Sequence, residues 1–410
     1  MNKTKKYFNK EKLKFFYNKG YFHLFFVLIA LTVSFIYGWY YDDSKPVSGR
    51  GWADQSLYIQ VTEKLAQGQL PESSELHYAI GYSTLGVVGY WVNSMDPFFV
   101  VSMVLLLVSA IFCFIAAKRL IGKWWALLFS VMLFAWDGVA RTFNFSSELF
   151  AIPWNNQVIF LLFSYYFWLL TTKIKTKPSY KIIIATGFVS GLAILTREEA
   201  VLFVAPALLT YLLLTRADWK RWLVIGSVVV LCFIPQVWVK FAVNGQFSSG
   251  RDTSYEETSG RYLQPRLLYR NVWEVLVDSQ HFGNPNGITN MLTPTDEDLY
   301  KVGGPDPLRE ALLQAAPWLW ISPIGIILLL TRKKYGVGIK VFTILTVLLM
   351  TFYLSGVNMS GQKLKFHTLR YISASFILLN LGTVLVIKEG VEYGRRIAKK
   401  TTKETVNKRE

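Results

Sequence analysis

Carboxylates and cations gather in this chain where apolar sequence gives way to polar sequence, a placement suited to chemistry at an interface. Asp54 opens the helical stretch Asp54-Gln-Ser-Leu-Tyr58. A carboxylate there can cap a helix or take a proton from a hydroxyl. Asp137 and Glu148 flank the short segment 138–147. Glu148 enters an apolar run, where a carboxylate is costly unless it meets a polar cavity or a partner. Asp42 and Asp43 follow the first apolar run and read as interfacial solvation. Arg197-Glu198-Glu199 separates two further apolar runs and can form a local ion pair. A second set is cationic: Arg251, Arg261, Arg266, Arg270, Lys363, Lys365 and Arg370. Arginine offers a planar fork that matches phosphate oxygens. The four loop arginines read as surface charge. Arg370 differs, because it stands in His367-Thr-Leu-Arg370-Tyr371 at the entrance to the last apolar run.

Several familiar chemistries are missing. There is no P-loop, no Gly-rich dinucleotide fingerprint and no H-E-x-x-H zinc pattern. His23, His77, His281 and His367 are too scattered to propose a metal site, and a divalent cation is left open on other ligands. The two cysteines, Cys113 and Cys232, sit inside apolar runs, which excludes a disulfide framework and a Cys-type zinc site. Asn144-Phe-Ser146 and Asn358-Met-Ser360 match the N-glycosylation pattern, a pattern common by chance.

The elements that must position these residues are apolar runs. The 410 residues are 52% hydrophobic and only 17% charged, too apolar for a disordered chain and too poor in charge for an ordinary soluble enzyme. Runs near the ~17–25 residues that cross a bilayer recur, at 21–40, 97–117, 124–137, 150–172, 182–196, 200–214, 222–240, 316–331, 339–356 and 371–387. The first is too long for a signal-peptide core and lacks a small-residue cleavage site, so it reads as an anchor. Residues 78–95 are apolar too. They read as a helix lying at the outer interface, helped by Tyr82, Tyr90 and Trp91, with a re-entrant hairpin as the alternative.

Charge orients this map. With both termini cytoplasmic, the inner segments 1–20, 118–123, 173–181, 215–221, 332–340 and 388–410 hold 29 basic and 6 acidic residues. The rest of the chain holds 15 basic and 21 acidic residues, the asymmetry that the positive-inside rule describes. The net charge of +17 is therefore topological, and no nucleic-acid partner is expected. Two long outer loops follow, 41–96 and 241–315. In the first, Leu57, Val61 and Leu65 recur at helical spacing until Gly68. The basic tails 1–20 and 388–410 read as cytoplasmic ends around one polytopic domain, 21–387, and membrane lipid is the surrounding partner.

The order of motifs carries a resemblance. Gly51-Trp-Ala-Asp54-Gln-Ser-Leu-Tyr58 precedes Leu65-Ala-Gln-Gly68 and His77-Tyr-Ala-Ile-Gly81-Tyr82. Then come Ser147-Glu148-Leu, the run Gly191-Leu-Ala-Ile-Leu-Thr196-Arg197, and finally Leu369-Arg370-Tyr371. In this order the chain resembles the GT-C superfamily of membrane glycosyltransferases, in particular bacterial relatives of protein O-mannosyltransferases and aminoarabinose transferases. The resemblance covers roughly residues 20–387. It implies an all-α polytopic membrane protein, GT-C-like, with about ten transmembrane helices and interfacial helices in the first outer loop. It also implies a sugar donor linked to polyprenyl phosphate and a glycan, lipid or protein acceptor at the outer face. The family's catalytic carboxylate in the first outer loop falls on Asp54, and a further acid in the second falls on Glu148. The common paired acid is missing, since Gln55 follows Asp54, which puts a metal-bridging role for this loop in doubt.

Physical logic points the same way. A polyprenyl donor stays in lipid, so the reaction must occur at the interface. Its leaving group is a phosphate, so the need is for a base and for cations. Asp54 is the expected base, with inversion at the sugar carbon. Arg370 is the expected phosphate ligand, with Lys363, Lys365 and Arg197 as further candidates. Two other readings share the spans and outer arginines: a transporter or flippase of lipid-linked sugars, and a membrane glycan polymerase or ligase using a diphosphate donor.

Overall fold

The computed structural model describes residues 20–40, 53–77, 80–135, 155–172, 177–197, 200–245, 262–263, 321–357 and 374–407. These residues are helical almost throughout. In chain order come α1 (Tyr21–Tyr40), α2 (Ala53–Ala66), a 3₁₀ turn (Ser73–His77), α3 (Gly81–Val92), α4 (Pro97–Ile121), α5 (Lys123–Ser130) and a π turn (Val131–Ala135). They are followed by α6 (Asn156–Thr171), α7 (Tyr180–Thr196), α8 (Val201–Leu214), α9 (Trp219–Asn244), α10 (Ser322–Thr331), α11 (Val337–Ser355) and α12 (Ser375–Asn407). A two-residue antiparallel ladder pairs β1 (Tyr262–Leu263) with β2 (Gly356–Val357), tying a point of the 241–315 segment to the end of α11.

Each apolar run of the sequence holds a helix, and the faces of these helices explain why. On α1, Val27, Leu31, Phe35 and Trp39 are buried at a spacing of four. Between them Phe25, Phe26, Ile29 and Val33 are exposed, where a soluble protein would place polar residues. On α9, Leu223, Val230, Leu231, Ile234, Trp238 and Phe241 are exposed in the same way. Helices apolar on both faces suit a lipid surround. Among the described residues, α4 and α9 are both long and apolar enough to cross a membrane, and shorter apolar helices accompany them.

Local signals set the helix ends. Pro97 starts α4, and Gly122, at φ +91°, separates it from α5. Asp218 caps α9 by accepting from Arg221 N at 3.1 Å, and the left-handed Gly245 closes it. Inside the bundle, hydroxyls bridge neighbouring helices: Tyr165 to Thr186 at 2.7 Å and Tyr166 to Ser190 at 2.9 Å join α6 to α7. Such bonds and small residues hold helices together where lipid offers no hydrophobic drive. Helix α10 approaches α12 closely: a Cβ on Gly325 would lie 2.0 Å from the Gly382 carbonyl oxygen.

The contacts sort the connections into two ends. A Cβ on Gly20 would touch Lys118 and Lys123 at 3.4 Å. Arg119 bonds Thr172, Lys177 N donates to Thr215 O at 2.9 Å, and Arg221 Nε donates to Pro178 O at 2.8 Å. Gly338 lies against the Leu170 carbonyl, and Lys334 pairs with Glu389. One end of the bundle thus gathers the short basic connections among the described residues. Within the segment read as a tail from residue 388, α12 continues without a break to Asn407. Its Lys, Arg, Glu and Ala residues are good helix formers and sustain it.

The Lys334–Glu389 pair fastens the α10–α11 turn to α12. The Lys334 hydrogen bond, opposed by burial, holds the Glu389 carboxyl below its ordinary value of 4.5. A lowered carboxylate pKa adds stability above the unfolded value, and this is lost as pH falls through the folded one. We expect Glu389→Gln to flatten the acid limb of the melting temperature below about pH 4.5 and to leave the neutral value within a few degrees. Thermal melts in detergent across pH check it; an unchanged acid limb would show that the pair contributes nothing.

Candidate active site

At the end opposite the basic connections, α2 and α3 form a hairpin over the bundle. Thr62 Oγ1 donates to Ser83 O at 3.1 Å, and Ser83 Oγ donates back to Tyr58 O at 3.3 Å. Lys64 closes the intervening turn on Glu75 at 2.7 Å. The Tyr58 ring meets Tyr82 edge-on at 5.2 Å, and Tyr82 stacks on Phe98 at 4.9 Å. Glycine makes this packing possible: a Cβ on Gly89 would lie 2.0 Å from the Pro97 carbonyl oxygen.

Polar groups then join the hairpin to the helix ends beneath it. Gln157, in the first turn of α6, accepts from Tyr82 OH at 3.0 Å and from Ser102 Oγ at 2.9 Å. Its neighbour Asn156 accepts from Arg197 at 3.2 Å, just past the end of α7. Asn155 Nδ2 donates to Thr196 O at 3.3 Å. Trp39 Nε1 donates to Asp96 Oδ2 at 2.6 Å, which fixes α1 to the start of α4. Leu76, Ile80 and Val239 make a small separate core that seats the hairpin on the last turns of α9.

Several expectations can now be placed. Asp54 is the second residue of α2, inside its first turn rather than at the cap position before it. It lies one turn before Tyr58, the residue through which α2 meets Tyr82. Arg197, bonded to Asn156, is buried. The Asp54 side chain, Glu148, Lys363, Lys365, Arg370 and the four loop arginines lie outside the described residues. Among the described residues no cluster of His, Cys, Asp and Glu could hold a metal ion. One expectation needs correction: Tyr82 is fully buried against Phe98 and does not anchor an interface. Trp91, expected there too, is exposed, and with Val88, Val92 and Met95 it forms an apolar face of this end of the hairpin. At 12 residues, or roughly 18 Å, α3 is too short to cross a ~30 Å hydrocarbon layer.

Some site residues escaped the sequence reading: Asn155-Asn156-Gln157 is a polar triplet within the 150–172 run. The cost of polar groups in such segments was the available signal.

A family model described as Dolichyl-phosphate-mannose-protein mannosyltransferase matches residues 90–239, from the end of α3 to late α9. The match agrees with the resemblance that the ordered motifs carry. Among solved structures, the chain is similar to ArnT from Cupriavidus metallidurans. The ArnT structure bound to undecaprenyl phosphate is 14% identical, over 84% of this chain and 74% of that one, with TM-score 0.41. The apo ArnT structure is 13% identical, over 81% and 71%, with TM-score 0.38. No curated protein sequence matches the chain.

Proposed function

We propose that the chain transfers a sugar from a polyprenyl-phosphate-linked donor to an acceptor hydroxyl at the outer face of the membrane. The family match supports the donor class, because dolichyl phosphate is itself a polyprenyl phosphate. The observation that supports the site is the hairpin: α2, the helix that includes Asp54, packs through Tyr58 on Tyr82, whose hydroxyl bonds Gln157 at the start of α6.

The reaction balances without an added reagent. The acceptor oxygen attacks the anomeric carbon from the side opposite the phosphate, and its proton passes to the Asp54 carboxylate. The carbon–oxygen bond to phosphate breaks with its electron pair remaining on the phosphate oxygen. Direct displacement inverts the sugar carbon. The released phosphate gains a negative charge, which a nearby cation stabilises as it develops. Arg370 and Arg197 are assigned to that charge, Lys363 and Lys365 to the approach, and Glu148 to substrate positioning.

The test is to supply labelled polyprenyl-phosphate sugars to membranes containing the protein and to look for a new glycoside. Movement of the labelled lipid across the bilayer without glycoside formation would favour the transporter reading. Orientation is tested separately. The basic end is cytoplasmic in this proposal, so a cysteine placed at Thr176 should react with an impermeant reagent only after cells are opened. Labelling in intact cells would reverse the map and move the site to the wrong side.

A further inference from the structure

The α2–α3 hairpin is held together by one set of contacts and held on the bundle by another. Within it, Ser83 and Tyr58 are tied side chain to backbone, and a Cβ on Gly86 would lie 2.4 Å from Thr62 Oγ1, so the two helices pack as one unit. Against the bundle, Leu76 and Ile80 meet Val239, and Tyr82 stacks on Phe98. Apolar contacts of this kind are non-directional and let a unit slide slightly. The close approach of Gly81 to Leu195, where a Cβ would lie 2.7 Å away, limits how near the two come but does not stop sliding. A hydrogen bond does, because it weakens steeply with distance and angle. Tyr82 OH donates to Gln157 Oε1 at 3.0 Å, and both residues are fully buried.

Gln157 is a fixed point for that bond. Ser102 Oγ, on α4, donates to the same oxygen at 2.9 Å. At the same start of α6, Asn155 donates to the Thr196 carbonyl at 3.3 Å and Asn156 accepts from Arg197 at 3.2 Å. One turn of helix is thus tied to α4, to the end of α7 and to the hairpin. Beyond Tyr82, its ring meets Tyr58 at 5.2 Å, and Tyr58 lies one turn after Asp54 on α2. A path from Arg197 to the Asp54 backbone therefore runs through Asn156, Gln157, Tyr82 and Tyr58. Its steps are a hydrogen bond, a peptide link, a second hydrogen bond, a ring contact and a turn of helix.

We infer that Tyr82 is a positioning residue for sugar transfer: its bond to Gln157 sets α2, and with it Asp54, relative to Arg197. This rests on the function proposed above and adds to it a residue that acts through others. A base and a phosphate ligand cooperate only when their separation fits the transition state, and a misplacement of about 1 Å can cost ~10²-fold in rate. Tyr82→Phe keeps the ring, with its stacking on Phe98 and its contact with Tyr58. Gln157 Oε1 keeps its bond from Ser102, so that buried acceptor is not orphaned. The variant therefore folds, while the directional hold on α2 is gone.

The experiment measures initial rates with labelled polyprenyl-phosphate sugars in membranes containing the full-length protein. Tyr82→Phe is expected to lower kcat roughly 10- to 100-fold, with the donor KM within about twofold and the melting temperature within a few degrees. Tyr165→Phe is the matched control. It deletes a buried hydroxyl bond of the same kind, to Thr186 at 2.7 Å, and Thr186 Oγ1 keeps its bond to the Ile182 carbonyl at 2.7 Å. Its kcat should stay near native. Gln157→Met removes the Tyr82 bond from the other side, so the double variant should be no slower than the slower single one. A native kcat in Tyr82→Phe, an equal fall in Tyr165→Phe or additive losses in the double variant would overturn the inference. Should Tyr82→Phe fail to accumulate, Gln157→Met alone is read by the same criteria. Amide hydrogen exchange gives a reading that needs no turnover: Tyr82→Phe should speed exchange across α2 and leave α7 unchanged. Unchanged exchange in α2 overturns the inference whether or not the native protein transfers sugar. The two claims separate. Native protein that forms no glycoside, with α2 loosened in Tyr82→Phe, removes the transferase reading and leaves Tyr82 as the residue that places α2. Native transfer with an undiminished kcat in Tyr82→Phe removes this inference alone.

Discussion

Asp54→Asn should accumulate in membranes at the native level and lose sugar transfer by roughly 10²–10⁴-fold, the usual worth of a general base. The substitution keeps size and shape. Because Asp54 lies within the first turn of α2, the variant also loses a favourable charge near a helix N-terminus, worth only about 0.3–1 kcal/mol. A purely structural role therefore predicts a small loss and the catalytic role a large one. The measurement is labelled-sugar transfer in membranes, with protein quantified in the same samples. Near-native transfer by a well-expressed Asp54→Asn would remove Asp54 as the base and shift weight to the transporter reading.

Gly89→Ala should damage the site from a distance. A Cβ at Gly89 would meet the Pro97 carbonyl oxygen at 2.0 Å, and backbone cannot rotate away as a side chain can. Either α3 or the start of α4 must move. Overpacking of this kind costs roughly 1–3 kcal/mol or more. The movement would carry Tyr82 off Gln157 and shift α2, with Asp54, relative to Arg197. We expect a lower melting temperature together with a fall in transfer larger than the loss of folded protein explains. Gly68→Ala is a suitable contrast: that glycine has open space around it, so only its positive φ of 73° opposes a side chain. Native transfer and melting by Gly89→Ala would show that the hairpin does not depend on this contact.

Much of the fold was legible in the sequence because membrane helices are specified locally. The runs at 21–40 and 97–117 reappear as α1 and α4, and the Thr196–Glu199 break falls where α7 ends. The gathering of 118–123, 177–181, 215–221 and 332–340 at one end was also legible, because each is a short basic break between apolar runs. Pairing between helices was not. Nothing near Tyr82 in the chain says that its hydroxyl meets Gln157, 75 residues away. An aromatic residue beside an apolar run suits either an interface or a core, and only Phe98 decides between them. Asp54, Arg197 and their order along the chain were visible, whereas the polar bonds at the start of α6 are a product of packing.

The last helix has a mechanical consequence. α12 has 33 residues, so it is roughly 50 Å long against a hydrocarbon layer of ~30 Å. Gly382 is held against Gly325 near its start and Glu389 on Lys334 further along, so beyond these two holds it follows the bundle as a rigid arm. The twenty residues from Lys388 form an arm of roughly 30 Å, so a tilt change of about 10° in the membrane-embedded part would sweep its tip by roughly 5 Å. A movement too small to detect within the bundle would thus be magnified at the far end of the chain, where a spin label or fluorophore pair would register it.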